Sequence, residues 1–144
     1  MTKLSKMVSK FWHYPKQVEK HPVRVEALVV EDHQDEMDFL VGLLRNQNVV
    51  TTTAKNIAAT LQILSGPTLF QLAFVDLTLP DGSGIEIVRR IKDSRRMCHV
   101  VVTSGSIEKI PLVVGYGYIG ILSKPYSVNS IGEVLWKHRL PCSY

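Results

Sequence analysis

Cysteine is scarce in this chain: Cys98 and Cys142 are the two present, and they are not spaced as CxxC. Neither a disulfide framework nor a zinc site is therefore expected, and both read as ordinary reduced thiols. No apolar run approaches the roughly 18–20 residues needed to cross a bilayer, and no apolar segment precedes a small-residue cleavage site near the N-terminus. A cytoplasmic location is the expectation. A nucleotide-binding glycine loop, a helix-turn-helix segment, internal repeats and low-complexity stretches are all missing, which argues against a nucleotide-dependent enzyme and against direct nucleic-acid binding. The 144 residues suit one domain with a sizeable core.

The formal net charge of +4 is not spread over the chain. Residues 1–22 hold Lys3, Lys6, Lys10, Lys16 and Lys20 against Glu19, while the rest balances 12 basic with 12 acidic residues. The basicity thus belongs to an extension, and the body is neutral. Within that extension Leu4, Met7, Val8, Phe11 and Trp12 recur at helical spacing ahead of Pro15, which predicts a short amphipathic helix. Such a helix could fold back on the domain, meet a partner or touch an acidic membrane surface. The organisation expected is an extension over 1–22, a domain over 23–140 and a tail over 141–144.

From Val23 the pattern alternates strand with helix. Residues 25–30 read as a buried strand, and the helix after it carries Met37, Leu40, Val41 and Leu44 on one stripe. A weaker strand over 49–53 precedes a helix with Ile57, Leu61 and Leu64, stopped at Gly66-Pro67. A third strand spans 70–75. Ser83 and Glu86 have capping-box spacing and predict a helix with Ile85, Val88 and Ile91 inward. Residues 98–103 form a β-branched fourth strand, 106–117 a fourth helix interrupted by Pro111, and 118–122 a fifth strand. Ser127 caps a last helix bearing Val128, Ile131, Val134 and Leu135. Strict alternation of five strands and five helices predicts an α/β, doubly wound (βα)5 fold, its parallel sheet covered on both faces.

Ligands collect at the C-terminal ends of strands in such sheets. Glu31-Asp32 ends the first strand, Asp76 the third and Lys124-Pro125 the fifth. Carboxylates sharing a pocket repel one another, and a divalent cation resolves the conflict. Oxygen ligands without a second His or Cys point to Mg²⁺, and His33 reads as a surface or supporting residue. One carboxylate in such a cluster can accept a phosphoryl group, and Asp76, after the run FQLAFVD, is best placed to do so. Lys124 supplies the opposing cation, and Thr103 or Ser104 a hydroxyl.

With these residues in place, about residues 23–140 resemble the response-regulator receiver domain of two-component signalling. VVED supplies the acidic pair, DLTLPDGSG the phosphoacceptor loop, VVVTSG the switch hydroxyl and LSKPY the lysine and proline. The resemblance implies the strand order 2-1-3-4-5, phosphorylation of Asp76, and Mg²⁺ held by Glu31, Asp32, Asp76 and the Thr78 carbonyl. It also implies a phosphate contact from Lys124, a switch hydroxyl on Ser104, with Thr103 as the alternative, and a cis bond between Lys124 and Pro125. The implied partner is a histidine kinase or histidine phosphotransfer protein, with output by protein contacts and a possible homodimer through the face of the fourth helix, fifth strand and fifth helix. Many receivers carry an aromatic residue three before the lysine. Ile121 stands there, so an aromatic switch would be missing or moved to Tyr118 or Tyr126. Such a domain is not an enzyme beyond its own phosphorylation. The competing readings are a phosphate-independent scaffold and a flavin-binding domain, the latter disfavoured because Glu31 and Asp32 would repel a flavin phosphate.

Overall fold

A computed structural model describes residues 24–94, 97–105 and 120–137. The predicted extension over 1–22, the fourth helix over 106–117 with Pro111, Tyr118 and the tail lie outside the described residues. Five strands, β1 (Val25–Val30), β2 (Val49–Ala54), β3 (Leu72–Asp76), β6 (His99–Ser104) and β7 (Gly120–Ser123), form one sheet in the order β2-β1-β3-β6-β7, all pairs parallel. This is the order 2-1-3-4-5 expected once β4 (Thr78–Leu79) and β5 (Gly82–Ser83) are set apart as a two-stranded antiparallel hairpin. Four helices are described: α1 (Gln34–Asn46), α2 (Ile57–Leu64), α3 (Ile85–Asp93) and α4 (Val128–Lys137).

The central strands are buried on both sides, as their unbroken apolar runs require. Along β1, Ala27 and Val29 enter a core with α1 and α4, while Leu28 and Val30 enter a second core with α2 and α3. Each such valine or leucine, fully withdrawn from water, contributes about 1.5–3 kcal/mol before chain entropy is counted. On α1 the stripe Met37, Leu40, Val41 and Leu44 is buried as its spacing implies. On α4, Ile131, Val134 and Leu135 are inside but Val128 is exposed, because it sits in the first turn beyond the edge of the core.

Two expectations need correction. On α3 the inward residues are Ile87, Val88 and Ile91, with Ile85 only partly covered. The helix is capped at Gly84 without a side-chain bond, because Ser83 is taken up in the β4–β5 hairpin, from which its hydroxyl still accepts the Ile85 N–H at 3.3 Å. On α2, Thr60 is fully buried and Leu61 and Leu64 are partly buried; the Thr60 hydroxyl donates to the Asn56 carbonyl at 2.8 Å, which satisfies it inside the fold.

Candidate functional site

Register brings the predicted residues to one rim of the sheet. β1 pairs with β3 and β3 with β6, Asp76 lying beside Thr103, so the residues that follow β1 and those that end β3 and β6 stand next to each other. The peptide bond between Lys124 and Pro125, just after β7, is cis. Lys124 Nζ lies 2.7 Å from Glu31 Oε2 and 2.9 Å from Asp76 Oδ2, although 48 residues separate the last pair in sequence. Glu31 and Asp76 are almost wholly buried.

Asp76 is held on both oxygens. Its Oδ1 accepts the Thr78 N–H at 2.9 Å, and Oδ2 faces the ammonium. The hairpin after it is locked to the neighbouring helix: Asp81 accepts the N–H groups of Ile57 and Ala58 at 2.8 and 3.1 Å, capping α2 from outside, with Asn56 accepting Ala59 N–H at 2.8 Å. These bonds hold the Asp81 carboxyl below its ordinary range, the Ile57 N–H most of all. The other side of the Asp76 loop is equally constrained. A side chain on Gly84 would meet the Asp76 carbonyl oxygen at 2.0 Å, so only glycine permits this approach of α3 to the strand end.

The electrostatics are those of a crowded acidic pocket around one largely enclosed cation. Burial pushes Glu31 above its ordinary value, helped by nearby Asp76 and opposed by Lys124. Burial would lower Lys124, but its hydrogen bonds to Glu31, Glu36 and Asp76 outweigh that and raise it, so the ammonium is permanently charged. His33, largely exposed, is raised chiefly by its hydrogen bond to Glu31 and then by Asp32 and Glu36. It borders the cluster at its solvent-exposed edge.

The donor set fits a hard divalent metal. Ligand atoms of Glu31, Asp32, His33 and Asp76 lie within 4.8 Å of one another. Asp32 Oδ1 is buried without a hydrogen-bond donor, with His33 Nδ1 3.3 Å away. A buried, unsatisfied carboxylate oxygen is costly, and a cation at that point would satisfy it.

Glu36 escaped the sequence reading, and Tyr126 entered it only as an alternative place for an aromatic switch. Glu36, in the first turn of α1, places Oε2 2.6 Å from Lys124 Nζ. Its position four residues after Asp32, at the start of the helix over the same rim, was the available signal. Tyr126 is buried, donates from its hydroxyl to Glu31 Oε2 at 3.3 Å and is hydrogen-bonded to Thr103. Of the aromatic residues that could replace a switch at Ile121, Tyr126 is thus already inside the site, and Tyr118 lies outside the described residues. Thr103 and Ser104 are both buried at the end of β6.

Comparison with known proteins agrees with this geometry. A family model described as response regulator receiver domain matches residues 27–135. The chain is 27% identical over 114 residues to the response regulator protein PilR of Pseudomonas aeruginosa, covering 78% of this chain and 25% of that protein. It is 30% identical over 111 residues to the photosynthetic apparatus regulatory protein RegA of Cereibacter sphaeroides, covering 75% of this chain and 59% of that protein. The chain therefore spans about a quarter to three-fifths of the length of these relatives. Among solved structures, a response regulator protein from Burkholderia pseudomallei, with a phosphorylated aspartic acid, calcium ion and citrate, superposes with TM-score 0.69 at 27% identity, over 77% of this chain and 66% of that one.

Proposed function

The chain belongs to the response regulator receiver domain family of two-component signalling, and we propose that Asp76 is its phosphoacceptor. The observation that carries the assignment is the ammonium of Lys124 set between Asp76 Oδ2 and Glu31 Oε2 at 2.9 and 2.7 Å, at the rim where the strands end. In the transfer, an Asp76 oxygen attacks the phosphorus of a phosphohistidine on a histidine kinase or phosphotransfer partner. The O–P bond forms as the P–N bond breaks, and the imidazole departs with its electron pair. Lys124 neutralises charge on the incoming group, and the Thr78 N–H keeps the carboxylate from rotating out of line.

Mg²⁺ would be held by Glu31, Asp32 and Asp76, with the Thr78 carbonyl, and would neutralise charge on the phosphoryl oxygens. Ser104, buried at the end of β6 just before Gly105, is the proposed hydroxyl for the phosphoryl group, with Thr103 as the alternative. The domain acts only on itself and is not otherwise an enzyme. Receiver domains meet histidine kinases or phosphotransfer proteins; output from this one through protein contacts, including a homodimer on the face that contains β7 and α4, belongs to the same proposal. A cytoplasmic location is also proposed: no helix among the described residues is long and apolar enough to cross a membrane. A phosphate-insensitive scaffold is not favoured, since it would have no use for a largely enclosed lysine among ionisable carboxylates.

Acetyl phosphate with Mg²⁺, followed by intact mass measurement, tests the proposal. A gain of one phosphoryl group that vanishes with EDTA and in Asp76→Asn is expected. Unmodified wild-type chain under acetyl phosphate, phosphoramidate and phosphohistidine donors would refute it.

A further inference from the structure

An ammonium has three N–H donors, and Lys124 has three carboxylate neighbours within reach: Glu31 Oε2 at 2.7 Å, Glu36 Oε2 at 2.6 Å and Asp76 Oδ2 at 2.9 Å. Its donor capacity is used up before any phosphoryl group arrives. The three acids are held unequally. Glu31 has 1% of its side chain exposed and also accepts the His33 backbone N–H and the Tyr126 hydroxyl. Asp76 has 4% exposed and accepts the Thr78 N–H. Glu36 has 40% of its side chain in solvent, and its other neighbours in the pocket are Glu31 and the exposed ring of His33.

Acylation removes the Asp76 charge and frees one N–H of Lys124, but the phosphoryl group brings three oxygens and more negative charge than Asp76 lost, so Lys124 serves it fully only if Glu31 or Glu36 also gives up an N–H. A buried carboxylate cannot leave without stranding its charge, whereas a half-exposed one rehydrates as it goes. We propose that Glu36 is the exchangeable partner: a positioning residue that holds Lys124 while Asp76 is bare and competes with the phosphoryl group for it afterwards. This rests on the reading of Asp76 as phosphoacceptor. Its consequence is that phosphorylation releases Glu36 and alters the charge of the first turn of α1. That turn borders a cavity of about 310 Å³ lined by Asp35, Glu36, Phe39, Lys124, Pro125 and Tyr126, where Phe39 is half exposed. The phosphorylation state is thereby displayed on α1 without any aromatic residue at position 121.

The test compares wild type, Glu36→Gln and Glu36→Asp in the full chain. Beryllofluoride, which bonds a carboxylate as a tetrahedral phosphoryl mimic, is titrated in Mg²⁺ and followed by amide NMR. Glu36→Gln should bind it about 3- to 10-fold more tightly and retain the acyl phosphate longer by a similar factor. Mg²⁺ alone should bind Glu36→Gln equally or more weakly, since a nearby negative charge is lost; the gain then cannot come from the metal. Glu36→Asp keeps the charge but is one methylene too short to hold Lys124, so it should behave like Glu36→Gln. In EDTA, amine acylation mapped by mass spectrometry should label Lys124 several-fold faster in both variants than in wild type. Unchanged or weaker beryllofluoride binding by a folded Glu36→Gln overturns the inference, as does a Glu36→Asp that matches wild type. Wild-type chain that takes up no beryllofluoride overturns the phosphoacceptor reading and this inference with it.

Discussion

Replacing Gly84 by alanine should damage both the fold and the phosphoacceptor, although nothing in the local backbone forbids it. Gly84 has φ −61° and ψ −14°, an ordinary right-handed conformation. On backbone entropy alone, Gly84→Ala would stabilise the domain by about 0.4–1 kcal/mol. Packing reverses the sign. The new Cβ would lie 2.0 Å from the Asp76 carbonyl oxygen, 2.9 Å from its carbonyl carbon and 3.0 Å from Val75 Cγ1, whereas real Cβ atoms essentially never come within 3.0 Å of such neighbours. The start of α3 and the end of β3 must therefore part by about 1 Å. β3 cannot yield cheaply, because it is buried along its whole length and paired on both sides. Overpacking typically costs about 1–3 kcal/mol, and a rigid backbone neighbour puts this case near 3 kcal/mol. A displacement of Asp76 on that scale should also slow phosphorylation by about 100-fold. Gly42 and Gly132 are internal controls: they sit in α1 and α4 with nothing within 4 Å of an added Cβ. Alanine at either should stabilise by about 0.5–1 kcal/mol. Urea denaturation of the three variants, with phosphorylation rates from acetyl phosphate, decides the matter. A Gly84→Ala variant as stable and as reactive as wild type would refute the packing argument.

Lys124→Ala leaves Glu31, Glu36 and Asp76 without their shared cation; in EDTA it should lower stability by about 1–3 kcal/mol, and Mg²⁺ should restore part of that loss in thermal denaturation. Glu31 is raised by burial, so its proton competes with a divalent metal: Mg²⁺ affinity measured by calorimetry should fall from neutral to mildly acidic pH, and Glu31→Gln should flatten the slope. Without metal the sign is opposite for stability: the folded chain holds the Glu31 proton more tightly than the unfolded chain, so this group's contribution declines as pH rises from the ordinary carboxylate range through the raised value. Burial pushes the Cys98 thiol up to about 12 from 9.0, so peptide mapping should find Cys98 unalkylated in native chain at neutral pH and modified only as the domain unfolds in urea. Linkage makes that group's contribution to stability fall as pH rises above about 9.

The sheet was legible because its strands are short runs of apolar or β-branched residues, and β1 begins and ends where its pattern does. The stripe of α1 was legible for the same reason, four apolar residues at helical spacing. The phase of α3 was harder. Ile85 and Ile87 are both apolar and both fit a helical stripe with Val88 and Ile91, so spacing alone did not choose between them. The apparent capping box at Ser83 and Glu86 matched a local rule, but the β4–β5 hairpin claimed Ser83 first. At the rim, Glu31, Asp32, Asp76 and Lys124 could be placed from chain order alone, since parallel strands deliver their C-terminal ends to one side. Glu36, Tyr126 and Asp81 depend on how a helix or loop leans over that rim. Those contacts arise from tertiary packing, at which the sequence only hints, through the interval from Asp32 to Glu36 and the tyrosine after Pro125.

The most direct measurement locates the acyl phosphate itself. After phosphorylation in Mg²⁺, borohydride reduction converts a phosphorylated aspartate to homoserine, and tandem mass spectrometry reads its position. The account requires homoserine at residue 76, formed in wild type and absent from Lys124→Ala. Homoserine at another aspartate, or none in chain that has gained a phosphoryl group, would contradict it.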